Sequence, residues 1–188
     1  MLWGYAMPKY IALLRGINVS GQKIIKMEKL RSIFESMDYK NVITYIQSGN
    51  VIFDCEEDDP AVVRDRIVSE LKVQLTFDIP VVIRTLEELY EVVENTPYQI
   101  VNAEANEQRY MTFLSHSATD AAIVKLEAFQ NEVDEFRVKG LTVYLLIRKN
   151  YGESKLSNNF IEKKLGVSAT TRNWETVNKL IQLAEGGS

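Results

Sequence analysis

The chain has 188 residues, 46% of them hydrophobic and 26% charged, with a formal net charge of −4. That balance belongs to a folded protein with a full core and excludes a disordered chain. One cysteine, Cys55, excludes an internal disulfide and a thiolate cluster, and one histidine, His116, argues against a transition-metal site and a Ser-His-Asp triad.

Residues 9–15 (KYIALLR) are short, apolar and followed by Gly16, so a buried strand is expected there. A loop with two glycines runs through residues 16–26. Met27, Leu30, Ile33, Phe34 and Met37 then recur at helical spacing. Strands are expected at 42–47 and 51–53, joined by Ser48-Gly49-Asn50. After the acidic turn at 55–59, Pro60 opens a helix that buries Val63, Ile67, Leu71 and Leu75. A strand at 79–84 follows. Thr85 and Glu88 then form a capping-box pattern at the head of a helix carrying Leu86, Leu89, Val92 and Val93.

The same order returns in the second half. It predicts a strand at 108–114, a helix at 119–130, strands at 135–139 and 141–148, and a polar stretch at 150–159. A helix carrying Phe160, Ile161 and Leu165 ends at Gly166, a strand covers 168–172, and a last helix carries Trp174, Val177, Leu180, Ile181 and Ala184. Arg84-Thr85-Leu86-Glu87 and Arg172-Asn173-Trp174-Glu175 share one pattern: a strand ending in arginine, a capping residue, then an amphipathic helix. The expected fold is therefore α+β, with two tandem ferredoxin-like βαββαβ units, each with an antiparallel sheet and an extra helix after it. The first unit is placed at 7–97, the second at 106–184 and a linker at 98–105. Such a layout leaves one face of each sheet without helices, where two units can cover each other.

The least ordinary stretch is Arg15-Gly-Ile-Asn-Val-Ser-Gly-Gln-Lys23. Two glycines five apart resemble a phosphate loop, but Gln22 stands where the lysine belongs, and the helix begins too late for an NTPase. The weaker expectation is anion binding by loop amides together with Arg15 and Lys23, with a loop of solvated lysines as the alternative. Gln47, Ser48 and Asn50 form a polar hairpin tip. Thr170, Arg172 and Asn173 precede a helix N-terminus, a place that suits an anion and equally suits a plain N-cap. Lys155 lies in the polar loop upstream.

Charge is unevenly spread. Residues 9–49 hold seven Lys/Arg against three Asp/Glu, and residues 148–179 hold the same numbers. Each stretch is thus +4, and the remainder carries −12.

The segments Tyr10-Ile-Ala-Leu-Leu-Arg-Gly-Ile-Asn-Val19, Thr44-Tyr-Ile-Gln-Ser-Gly-Asn-Val51 and Ala169-Thr-Thr-Arg-Asn-Trp-Glu-Thr-Val177 resemble the signatures of domain-of-unknown-function family 1697, whose members are mostly bacterial. The resemblance runs from about residue 7 to about 184. It implies one family domain with a duplicated ferredoxin-like fold, and it implies no activity. The family often continues Gly-Gly-Lys where this chain reads Ser20-Gly21-Gln22-Lys23.

The leading expectation is a cytoplasmic binding protein for a phosphate-bearing ligand, a nucleotide or nucleic acid, with no membrane contact, metal or cofactor. Arg15, Lys23, Lys155 and Arg172 would neutralise its charge, and Asn18, Gln47 and Asn173 would orient it. An enzyme acting on a small anionic substrate without metal is a second reading, for which no general base stands out. A ligand-free interaction or self-assembly module is a third.

Overall fold

The computed structural model describes residues 7–99, 102, 106–131, 134–148 and 150–186. The chain divides into two compact units. The first runs to Tyr90 and takes in the chain again from Leu180, and the second is Glu91–Lys179. Most of the linker expected at 98–105 lies outside the described residues.

The first unit contains β1 (Lys9–Leu14), α1 (Met27–Ser36), β2 (Lys40–Tyr45), β3 (Asn50–Asp54), α2 (Pro60–Leu75), β4 (Val81–Thr85) and the start of α3 (Leu86–Glu94). Its sheet has the order β2-β3-β1-β4, and every neighbouring pair is antiparallel. Strand alternation puts Tyr10, Ala12, Leu14, Val51, Phe53 and Ile83 in one core with Leu30 and Phe34 of α1 and Ile67 and Leu71 of α2. Phe53 is the hub of that core. Tyr39 stacks on it at 4.6 Å, Phe34 meets it edge-on at 5.3 Å, and Tyr10 lies at 5.9 Å. The alternate residues Ile11, Leu13, Ile52, Val82 and Arg84 are buried as well. Both sheet faces are therefore covered, in keeping with the unbroken apolar run of β1.

The hairpin departs from the strands expected at 42–47 and 51–53. β2 begins earlier, at Lys40, and carries a bulge between Lys40 and Ile43. Asn41 takes a left-handed φ of 51° there and donates from Nδ2 to Asp54 at 2.6 Å. β2 stops at Tyr45 because Ile46 is also left-handed, at φ 47°. Gly49, at φ 88°, closes the turn by donating to the Ile46 carbonyl at 3.2 Å. β4 starts after Pro80, which has no N–H to give a ladder. The capping box forms as expected: Thr85 N–H donates to Glu88 at 2.7 Å, and Glu88 N–H donates to Thr85 Oγ1 at 3.2 Å.

The second unit contains the end of α3, then β5 (Gln108–Leu114), α4 (Asp120–Glu127), β6 (Asp134–Lys139), β7 (Thr142–Ile147), a single 3-10 turn (Tyr151–Glu153), α5 (Asn158–Leu165), β8 (Ala169–Asn173) and the start of α6 (Trp174–Ala184). Its sheet is also antiparallel throughout, in the order β6-β7-β5-β8. Leu114, Phe136, Leu145, Leu126, Ile161 and Leu165 share its core. On the opposite face Met111, Phe113, Tyr144, Leu146 and Arg172 are buried too. The molecule is thus an α+β protein with two four-stranded antiparallel sheets.

Among the described glycines, Gly49 is the least replaceable. A Cβ there would stand 2.5 Å from Ile17 Cδ1 and 2.9 Å from Leu14 Cβ, on a backbone that L-residues avoid. Gly49→Ala is expected to cost about 3 kcal/mol in urea unfolding, combining overpacking with a left-handed alanine.

Burial dominates the behaviour of four tyrosines. Tyr10, Tyr39, Tyr98 and Tyr144 are each pushed from 10.0 up to about 12, with desolvation the largest cause and the neighbouring Cys55 next for Tyr10 and Tyr39. A raised folded-state pKa favours the protonated phenol. The stability these groups contribute is therefore complete below pH 10 and is lost between pH 10 and 12. Tyrosinate absorbance at 295 nm should rise for these four residues together with the loss of circular dichroism; full titration before unfolding would contradict the burial.

Candidate functional site

Arg15, Asn18, Lys23, Gln47, Ser48 and Asn50 belong to the first unit, whereas Lys155, Thr170, Arg172 and Asn173 belong to the second.

In the first unit the loop after β1 is a small β-hairpin. Ser20 and Gly21 have φ of 50° and 73°, the pair of left-handed residues that a type I′ turn requires. Gln22 N–H closes it onto the Val19 carbonyl at 2.9 Å, and Asn18 N–H bonds the Lys23 carbonyl at 3.1 Å. The second glycine thus serves a turn, and two of the loop amides are engaged in closing it.

Asn18 ties this arm down. Its Oδ1 accepts from Ile25 N–H at 2.8 Å, and its Nδ2 donates to the Ile25 carbonyl at 3.0 Å and to the Gln47 carbonyl at 2.9 Å. The arm and the β2–β3 hairpin tip are thereby joined into one surface. Asn50 is fully buried and braces the tip from within, donating to the Tyr45 carbonyl and to Ser48 Oγ. Both asparagines serve architecture. Arg15 is half-buried, with its N–H on the Pro80 carbonyl. The Lys23 ammonium donates to the Asp78 carbonyl at 2.6 Å and lies over Phe77. Gln47 and Ser48 have exposed side chains.

In the second unit Arg172 is only 7% exposed. Its Nη1 donates to Thr170 Oγ1 at 2.8 Å and to the Thr171 carbonyl at 2.9 Å. Burial lowers its pKa to about 10, which leaves it charged at neutral pH. Thr170 is buried beside it. Asn173 is the N-cap of α6, its Oδ1 accepting from Thr176 N–H at 2.8 Å. Lys155 is exposed.

Each unit also has a cleft that the sequence did not suggest. The first unit's cleft, about 470 Å³, is lined by Tyr39, Cys55 and Arg66 among others. The second unit's cleft, about 480 Å³, is lined by Arg109, Asn173 and Trp174 among others. There the Arg109 guanidinium lies 3.6 Å over the Trp174 ring and donates to the Tyr98 carbonyl. Glu107 on that wall is held below the usual carboxylate range by the Asn102 N–H and then by Arg148. No motif marks these residues, because their partners come from distant strands and helices. Among the described residues, no group of three or more His, Cys, Asp or Glu is placed to hold a metal ion, and no helix is long and apolar enough to cross a membrane.

Residues 7–144 match the family model described as Protein of unknown function (DUF1697). The chain belongs to this family. This DUF1697 member is similar in structure to the conserved bacterial protein SP0830 from Streptococcus pneumoniae, with a TM-score of 0.75 and 23% identity over 95% of this chain and 99% of that one. At that identity the likeness is one of fold. No curated protein matches the chain.

Asn18→Ala removes all three side-chain bonds and is expected to cost about 2 kcal/mol or more. Amide hydrogen exchange should accelerate at residues 17–25 and 46–49 together. Faster exchange in one segment alone would show that Asn18 does not couple them.

Proposed function

We propose that this chain is a cytoplasmic binding protein for a phosphate-bearing ligand, a nucleotide or nucleic acid, engaged at the arm and hairpin tip of its first unit. The observation that carries the reading is the Asn18 bond to the Gln47 carbonyl. It joins two polar motifs that lie 29 residues apart in the chain and sets Gln47 and Ser48, both exposed, on the same surface as the arm. The half-buried Arg15 follows β1 directly beside the tip, where Leu14 N–H bonds the Gly49 carbonyl. Arg15 supplies the positive charge, with exposed Lys26 and Lys29 nearby in the chain. Gln47 and Ser48 supply hydrogen bonds. Of the second unit's candidates, Lys155 and Asn173 are exposed, whereas Arg172 and Thr170 have interior positions that suit a supporting role.

For the fold we propose the ferredoxin-like class and an internal duplication. The two sheet orders correspond strand for strand. The registers correspond too: Ile11 faces Arg84 and Tyr10 faces Thr85 in the first, and Met111 faces Arg172 and Tyr110 faces Asn173 in the second.

A second reading, a protein-interaction module, is favoured by Val19, Ile24 and Ile46, which are 58%, 70% and 45% exposed on the same arm and tip.

Titration of labelled oligonucleotides, and of nucleotides by thermal shift, at low salt tests the first reading. Binding should fall steeply as salt rises, and Arg15→Ala should weaken it about tenfold or more. Absence of binding, or binding that Arg15→Ala leaves unchanged, sinks it. Self-association that Ile24→Asp abolishes would instead support the module.

A further inference from the structure

The arm of the first unit is a feature that its sheet does not require. In the second unit, whose sheet has the same strand order, the chain passes from β5 to α4 through residues 115–119, a short turn of sequence SHSAT. Between β1 and α1 the corresponding stretch runs from 15 to 26 and contains the arm. Its turn stands in open space: Val19, Ser20, Gly21 and Gln22 are all exposed, and a Cβ on Gly21 would meet no atom within 4 Å. The arm is nonetheless stiff. The type I′ turn closes its tip, Asn18 knots its base, and the Lys23 ammonium pins its returning strand to the Asp78 carbonyl.

Three aliphatic side chains surround that knot. Val19, 58% exposed, follows Asn18; Ile24, 70% exposed, precedes Ile25; and Ile46, 45% exposed, precedes Gln47. Asn18 bonds the backbone of both Ile25 and Gln47, so each of the three stands one residue, about 3.8 Å of backbone, from a member of the knot. Grouped apolar side chains held in water mark a contact surface. The charge around them is positive. Residues 15–30 hold Arg15, Lys23, Lys26 and Lys29 against Glu28 alone, and residues 46–50 carry no charge. A second copy is a poor match, because a two-fold contact would set this positive surface against itself. The matching partner has negative charge outside and apolar surface within reach, and nucleic acid has both.

We propose that the phosphate-bearing ligand is double-stranded nucleic acid and that the arm is a wedge that parts its base pairs. This rests on the phosphate reading and narrows it. A free nucleotide needs a concavity that encloses most of its surface, whereas the arm is a projection. Single strands are held on exposed aromatic faces, and residues 15–26 and 46–50 contain no aromatic side chain. Branched aliphatic side chains instead enter between base pairs from the minor groove, unstack one step and kink the duplex. Ile24, the most exposed of the three, is the wedge. Arg15, Lys26 and Lys29 meet phosphates, which position the duplex without reading its sequence. Unstacking costs least at pyrimidine–purine steps, so these are the preferred points of entry.

The test uses the full chain at low salt with a DNA duplex of about 20 base pairs, its separated strands and the corresponding mononucleotides. The duplex carries 2-aminopurine at its TA steps and an energy-transfer pair at its ends. It should bind about tenfold or more tightly than either other form, with a rise in 2-aminopurine fluorescence and a shorter end-to-end distance. Ile24→Ser should melt as the wild type does, since the side chain lies in water. It should lose the fluorescence rise and the bend, and bind the duplex about tenfold more weakly. Ile24→Leu should retain all three. The proposal is overturned if mononucleotides or single strands bind as tightly as the duplex, if the duplex binds without unstacking, or if Ile24→Ser matches the wild type. In each of those cases, binding that still needs Arg15 leaves the phosphate reading standing. Absence of binding to all three forms sinks both.

Discussion

The close approach of the β2–β3 hairpin tip to the end of β1 governs the arrangement of the first unit. Gly49 can lie against Leu14 and Ile17 only because it has no side chain, and its carbonyl then receives Leu14 N–H at 2.8 Å. That contact puts the Gln47 carbonyl within reach of Asn18, and Asn18 in turn secures Ile25 at the base of the arm. Backbone conformation is thus the primary constraint and side-chain bonding the secondary one. Polar residues in the two motifs divide accordingly: Asn18 and Asn50 face inward, while Gln47 and Ser48 remain available to solvent.

Charge follows a similar division. The surplus of four in each basic stretch is correct as a sum, but it overstates the free positive charge. Lys9 is paired with Asp54 at 2.6 Å, and Arg148 is held between Glu107 and Glu135 at 2.8 and 2.6 Å. Lys23 is engaged by a carbonyl and Arg172 is buried. These ion pairs are part-buried, and they determine which cations a ligand in solution would meet. Lys26 and Lys29 in the first unit and Lys155 in the second are the exposed part of that surplus.

Much of the fold was legible because burial writes itself into periodicity. Leu30, Ile33 and Phe34 announced one face of α1, and Val63, Ile67 and Leu71 one face of α2. The unbroken apolar run Ile11–Leu14 carried a further message, burial on both faces, that alternation alone would not show. Strand ends were less legible, since they turn on left-handed residues such as Asn41 and Ile46, and nothing about a β-branched isoleucine suggests that conformation. In the sequence Arg172 stands as a residue to neutralise a ligand's charge, since arginine is ordinarily exposed; its burial depends on strands far apart in the chain.

The composition of the first unit bears on how it is made. Its contacts include residues from Leu180 onward, and Tyr90 donates its hydroxyl to Glu185, 95 positions later. At ribosomal speeds of roughly 5–20 residues per second, that gap corresponds to roughly 5–20 s of synthesis. The earliest strands therefore emerge well before the helix end that belongs with them. During that interval the nascent chain lacks the residues from Leu180 onward that complete the unit, so that translation timing, as well as sequence, shapes the route to the native state.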